Sequence, residues 1–358
     1  MSLADFLQQA MSRWMKDGGP EDDIILTSRV RVARNLQDIP FPVLQTDSHA
    51  NQVIHAVQSS LKSPAFTPLG RYELLRLSDM SAMDRRVLVE KHLISKDLAE
   101  QDKHGAVALR DDELVSIMVN EEDHLRVQCI MPGLRLDDAW AVAGALDDAF
   151  EQNLPYAFHE KFGYLTACPT NVGTGIRASV MMHLPGLVLS GQINRMLSAV
   201  SQVGLTVRGM YGEGSESAGN LFQVSNQITL GESETEIIGN LASVVNQLIG
   251  HERAARKALV DESRDGLEDR VSRSFGILAY ARRLDSKETL QRLSDVRLGI
   301  DLGIIKGVSA GILKELMVMT QPALLQKYYG QELAPAERDS RRAALIRERL
   351  RLDDTEVR

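Results

Sequence analysis

The 358-residue chain reads as an α+β protein, with an antiparallel sheet flanked by helices followed by an all-helical region. Three observations carry that reading. β-Rich runs crowd together over Ala106 to Leu109, Leu114 to Val119 and Leu125 to Met131, the first two joined through Asp111-Asp112 as a hairpin. Helix-period segments surround them at Asn51 to Leu61, Met80 to Val89, Asp137 to Phe150 and Ile193 to Val203. From Glu232 onward the strand signals stop. Adjacent hairpins favour an antiparallel sheet with helices on one side over a parallel doubly wound one.

Taken in order, Leu3, Phe6, Leu7, Ala10, Met11 and Trp14 recur at helical spacing, and Gly18-Gly19-Pro20 ends them. This predicts a short amphipathic helix packed onto something larger. The tail reads as helices over Glu236 to Leu259, Leu267 to Leu284, Lys287 to Leu298, Ala310 to Met319 and Ala336 to Leu352, separated by polar breaks and by Pro322 and Pro335. The expected division is 1–22 as helix and linker, 23–255 as the mixed domain and 256–358 as the helical domain.

Composition narrows the function. With 44% hydrophobic and 25% charged residues the chain can bury a large core, and its length suits about two domains. A net charge of -8 argues against direct nucleic-acid binding through uniform basicity. Cys129 and Cys168 form neither a disulfide framework nor a metal-site spacing, so a reduced, cytoplasmic setting is expected. No signal-peptide pattern and no window of 18 uninterrupted apolar residues occurs, so no membrane association is expected.

The acids are unevenly spread. The 52 residues between Glu160 and Glu213 hold no Asp or Glu, where the average spacing would place about seven. The same stretch keeps Lys161, Arg177, Arg195 and Arg208, and the glycines of Gly173-Thr174-Gly175 and Gly212-Glu213-Gly214 each lie near an Arg. Buried sheet, which needs no charge, is one reading of this stretch; the other is an anion site, with glycine amides and forked guanidinium donors. Gly173, Gly175 and Ala178 fit a dinucleotide fingerprint in spacing only, since no acid follows about 20 residues on for a ribose. The Walker lysine motif and the loops of ordinary protein kinases are also missing. Arg29, Arg31, Arg126, Arg177 and Arg208, each in or beside an expected strand or turn, are left to grip a triphosphate.

Four segments carry a resemblance. Thr27 to Asn35 (TSRVRVARN), Asn120 to Arg126 (NEEDHLR), Cys168 to Thr174 (CPTNVGT) and the stretch from Arg208-Gly209 through Glu213 to Gln227 are similar, in order, to motifs of the guanidino (phosphagen) kinases. The likeness spans roughly Asp23 to His251 and implies that family's catalytic domain, an antiparallel sheet with flanking helices of the glutamine-synthetase-like kind. Only 26 residues precede Thr27, too few for the helical domain that encloses small substrates in members acting on free arginine or creatine. The tail carries Arg338-Asp339-Ser340-Arg341-Arg342-Ala343. Both features resemble the bacterial protein-arginine kinase branch.

That resemblance implies the roles of individual residues. Glu122 and Glu213 would align the guanidinium and accept its proton, Glu121 would orient the site or hold magnesium through water, and Cys168 would help position the substrate. ATP would be held by Thr27, Ser28, Arg29, Val30 and Arg31, by His92 and Arg126, by Arg177, Ala178, Ser179, Val180 and Met181, and by Arg208, Gly209, Met210, Tyr211, Gly212 and Glu213. Magnesium would arrive on the phosphates with no direct protein ligand. Arg338, Asp339, Ser340, Arg341, Arg342 and Ala343 would form an allosteric phosphoarginine pocket. For His124 a structural role beside the acidic turn is as strong a reading, and Cys129 reads as core.

ATP-dependent phosphorylation of protein arginines, with autophosphorylation, is the leading expectation. A small-molecule guanidino kinase and a non-catalytic phosphoarginine-binding adaptor are the alternatives. The branch also implies substrate proteins with exposed arginine, a zinc-binding activator protein, a heat-shock repressor, a Clp unfoldase or protease, a stress-response setting and a homodimer.

Overall fold

The computed structural model describes residues 3–8, 11–16, 18–100, 103–209 and 218–351. The strands are β1 (Ile25–Arg34), β2 (Tyr72–Arg76), β3 (Ala106–Arg110), β4 (Val115–Val119), β5 (Leu125–Pro132), β6 (Phe158–His159), β7 (Gly163–Tyr164), β8 (Ile176–His183), β9 (Leu205–Gly209) and β10 (Leu221–Asn226). Before and between them lie α1 (Leu3–Gln8), α2 (Arg13–Lys16), α3 (Asp47–Ser60), α4 (Ala82–Glu90), α5 (Lys96–Glu100), α6 (Leu136–Glu151), α7 (Pro185–Leu189) and α8 (Ile193–Gln202). The tail holds α9 (Glu234–Tyr280), α10 (Ser286–Asp301), α11 (Ala310–Met319), α12 (Pro322–Tyr329) and α13 (Pro335–Arg351).

Among the described residues the main sheet has eight strands in the order β2-β3-β4-β5-β1-β8-β10-β9. Every neighbouring pair is antiparallel, as the hairpin signals require. β1 lies at the centre, and its register sets which side chains share a face. Val30 faces Cys129 on β5 and Ala178 on β8, while Arg29 faces Ile130 and Ser179. The Val30 face is the apolar one. Val30, Val32, Val127, Cys129, Ala178 and Val180 are fully buried there, in one core with α6 and the first half of α9.

The opposite face is apolar only at its flanks. Val107, Leu109, Met118 and Ile130 pack there against residues of α1, α2, α4, α11 and α12, and Met181 and Leu221 pack against the tail helices. Helices therefore cover both faces, not the one side expected, because β3 and β4 are apolar on both sides: β4 is buried along its whole length. Between the two apolar flanks lies a polar centre.

The tail follows its expected segmentation at one break and departs from it at another. The polar run 261–266, read as a break, is exposed and holds a kink: the backbone leaves helical geometry at Ser263 (φ -155°, ψ 71°), so α9 is two helices meeting there. Pro322, also read as a break, starts α12 instead, at the first helical position where its missing N–H costs nothing.

Candidate active site

Strand alternation builds the site. On the polar face Arg29 and Arg31 of β1 lie across from Ser179 and Arg177 of β8, with Gln128 and Arg126 on β5 and Arg208 beside Gln223 on β9 and β10. The five expected arginines thus share one face. Cross-strand like charges normally repel, and here they do: burial pushes Arg29 down to about 10, with Arg126 adding to the fall and Glu121 opposing it. Burial and then Arg29, Arg126 and Arg177 hold Arg31 well below the usual arginine range. Arg177 is lowered by burial and by Arg208. The Nε atoms of Arg29 and Arg31 are buried and have no hydrogen-bond partner among the described residues. Concentrated positive charge and unfilled donors at the centre of a sheet suit a polyanion, so the residues fit the phosphates of ATP.

A cleft of about 1130 Å³ opens over this face, touching Arg29, Arg31, His92, Arg208 and Gly209, and extends to Arg338 of the tail. A recess beside it is lined by Thr27, His92, Ser179, Met181 and Gln223 among others. His92 has a left-handed backbone (φ 59°), and its ring, edge-on to Trp14 at 5.7 Å, is lowered to about 4 by burial and by Arg29. It is therefore neutral at pH 7. Val30, Ala178 and Val180 lie on the other face in the apolar core, which separates their side chains from the arginines. Ser28 is turned the same way: its Oγ donates to Gly133 O and accepts from Arg135 N, both at 2.9 Å. Met210, Tyr211, Gly212 and Glu213 lie outside the described residues.

The two glutamates sit on the tight β4–β5 turn, where Asn120 takes φ 56°. Arg126 Nη1 donates to Glu121 Oε1 at 2.7 Å and Nη2 to Glu122 Oε2 at 2.8 Å. Glu121 is buried and also accepts from Ser95 Oγ, whereas Glu122 keeps 44% of its side chain exposed. Glu121 is thus fixed and Glu122 available. The turn is fastened from several sides. Asn120 Nδ2 donates to Ala50 O and His104 O, and His124 accepts from Leu36 N at Nδ1, leaving Nε2 to donate to Pro40 O at 3.0 Å. Both ring nitrogens of His124 are committed to scaffold, and burial lowers its pKa.

Asp123 links the turn to Cys168. Its Oδ1 accepts from Asn35 Nδ2 at 2.6 Å and from Ala167 N at 2.7 Å, which holds the segment just before the cysteine. Cys168 is a half-buried free thiol 3.0 Å from Thr170 Oγ1, and Arg177, lowered also by Arg126 and held up by Glu122, lies close to it. Gly173 and Gly175 serve packing and not phosphate. Both have positive φ, and a Cβ would meet Thr229 O at 2.1 Å or Ala33 O at 2.6 Å, while the Gly173 amide donates to Tyr164 O.

Some site residues escaped the sequence reading. Ser95, which caps Leu98 N as well as binding Glu121, had only the signal of a helix cap. Gln128, donating to His92 O at 2.8 Å, lies two residues along the strand from Arg126 and so on its face. Asn35 and Asp123 were inside recognised segments without an assigned task.

The tail motif splits. Arg338 lines the cleft, while Arg342, 1% exposed, donates Nε to Thr320 O and Nη1 to Leu284 O and Asp339 Oδ1, each at 2.8 Å. Ala343 is buried in the tail core, Arg341 stacks over Tyr329 at 5.0 Å, and Ser340 Oγ donates back to Ala336 O. Among the described residues no three His, Cys, Asp or Glu side chains gather as a metal site, and no helix is long and apolar enough to cross a membrane.

Comparison with known proteins agrees with this fold. The model for the C-terminal catalytic domain of ATP:guanido phosphotransferases matches residues 52–255, and that for the C-terminal domain of the protein-arginine kinase McsB matches 264–358. The fold is shared with a lombricine kinase crystal structure (TM-score 0.56, 24% identity, 68% of this chain and 70% of that one). The sheet with its flanking helices is the fold of the ATP:guanido phosphotransferase class. A protein-arginine kinase of Halalkalibacterium halodurans is 59% identical over 354 residues, covering 99% of each chain, and one of Brevibacillus brevis is 56% identical over 356 residues, covering 99% of this chain and all of its own. The chain belongs to the protein-arginine kinase family.

Proposed function

We propose that the protein transfers the γ-phosphoryl group of ATP to arginine side chains of proteins, its own included. One observation carries the reading: Arg126 ties two glutamates, one buried and one exposed, to the edge of a five-arginine face. A cationic surface for the donor thus adjoins an anionic one for a guanidinium.

The chemistry has a clear difficulty. A guanidinium is far more basic than a carboxylate, so losing its proton to one in a separate step is steeply uphill, by about 12 kcal/mol. Proton loss therefore accompanies bond formation, because the nitrogen acidifies as it bonds to phosphorus. The nitrogen–phosphorus bond forms, the bond from the γ-phosphorus to the β,γ-bridging oxygen breaks, ADP leaves, and the proton passes to Glu122, with Glu213 as the second aligning carboxylate. Arg29, Arg31, Arg126, Arg177 and Arg208 offset the phosphate charge. Magnesium would come with the nucleotide, with Glu121 as the residue to hold it through water, and would supply further charge neutralisation. Cys168, held through Ala167 and Asp123, positions the acceptor.

The finer reading follows the resemblance. Arg338 to Ala343 senses phosphoarginine, the chain works as a homodimer in the cytoplasm, and a zinc-binding activator, a heat-shock repressor and Clp machinery are its partners in stress. Two free thiols are compatible with that compartment. The decisive experiment is incubation with magnesium ATP and a generic protein, followed by mass spectrometry for acid-labile phosphate on arginine. Modified arginine is expected; phosphate on hydroxyl groups alone, or none, overturns the reading.

A further inference from the structure

An opening of about 640 Å³ leads from solvent to Glu121, Glu122 and Ala167, and Pro42 and Val43 form one of its walls. A single arginine side chain leaves most of that space to the polypeptide that carries it. Val43 is 83% exposed, more than any other large apolar side chain among the described residues, and Leu44 beside it is 76% exposed. Scattered exposed aliphatics need no explanation. These two are different, because they stand together in a proline-started turn, Pro42–Leu44, at the lip of the acceptor site.

The lip is also anchored. His124, on the glutamate turn, donates to Pro40 O at 3.0 Å and meets the Phe41 ring edge-on at 6.2 Å. The aliphatic pair is thereby held at a fixed place relative to Glu121 and Glu122. We infer that Val43 and Leu44 are the docking rim for the substrate polypeptide and select an apolar residue next to the acceptor arginine. This rests on the assignment of the Glu121–Glu122 opening to the guanidinium. An extended segment reaching in with its arginine lays its neighbours across the rim, where an apolar one loses water against Val43 and Leu44. The rest of the lining, Gln45, Lys103 and His104, is polar, so the apolar preference comes from Val43 and Leu44.

The test uses the full-length protein, magnesium ATP and two peptides that each contain one arginine and differ only in having Leu or Ser beside it. Wild type is expected to show a KM for the Leu peptide about tenfold lower, the effect of covering one aliphatic side chain. In the V43S/L44S double variant that ratio falls to near one, and its thermal midpoint shows that it is folded. Equal KM values in wild type, or a preference that survives in the double variant, overturn the rim. If wild type phosphorylates neither peptide, the arginine-kinase assignment itself fails and the rim with it, an outcome distinct from phosphorylation without preference.

Discussion

Glu122 and Glu121 share one arginine but not one environment, and their difference predicts separate consequences. Glu122→Gln keeps the hydrogen-bonding shape and removes the proton acceptor. It should lower kcat by about 100- to 10,000-fold while leaving the ATP dissociation constant nearly unchanged, because the arginines hold the phosphates; initial rates and nucleotide titration check both. Near-normal turnover would sink the assignment. Asp123→Ala predicts a milder loss, since the Ala167 amide at 2.7 Å loses its acceptor and Cys168 its fixed place. Its KM for the acceptor should rise more than kcat falls, as steady-state kinetics would read. Arg29 and Arg31 were legible as neighbours on one strand face, because two residues apart is the strand period. That Arg31 stands opposite Arg177 was not, since cross-strand register is a tertiary fact. The same holds for Ser95 on Glu121, a contact between residues 26 apart.

The helices show how the tail is joined to the sheet domain. Glu90, the last residue of α4, accepts from the Ala323 and Leu324 amides at 2.8 and 2.7 Å, so it caps the N-terminus of α12 from outside the tail. Lys327 of α12 returns an ion pair to Asp84 of α4 at 2.8 Å. Glu90→Ala leaves those amides without a carboxylate and should cost about 1–2 kcal/mol, as lost caps do. Hydrogen exchange over Pro322–Tyr329 should speed up, with α6 unaffected; unchanged exchange would show that the cap carries no stability. The sequence reading located α11 at its observed bounds yet passed over α12, because proline stops a helix inside it and starts one at its first turn. It also divided α9 across the polar run 261–266, where the backbone does kink at Ser263. Caps supplied by distant residues, as Glu90 supplies here, leave no local signature.

Charge across the molecule is arranged by position more than by amount. The net -8 coexists with an arginine face whose members lower one another, and the acid-free run from 161 to 212 marks part of that face in the sequence. Its other charges went elsewhere: Arg195 lies exposed on α8, and Lys161 sits over the Phe162 ring. The same balance of burial against charge makes stability depend on pH. His183 is fully buried, with Nε2 paired to Ser294 Oγ at 2.8 Å, and burial holds its pKa well below 6.5. Below pH about 6.5 the unfolded chain protonates this histidine while the folded chain does not, so the unfolded state binds more protons and stability falls with falling pH. His92, lowered to about 4, acts in the same sense. The raised carboxyls of Glu90, Asp123, Asp147 and Asp301 act in the opposite sense, so a raw pH profile mixes the two. Comparing wild type with His183→Gln isolates the histidine. Glutamine does not titrate, so the thermal-midpoint difference between the proteins, full above pH 6.5, should narrow as pH falls toward 5. A difference that stays constant from pH 7.5 to 5 would show that His183 titrates alike in the folded and unfolded chains, which its burial against Ser294 forbids.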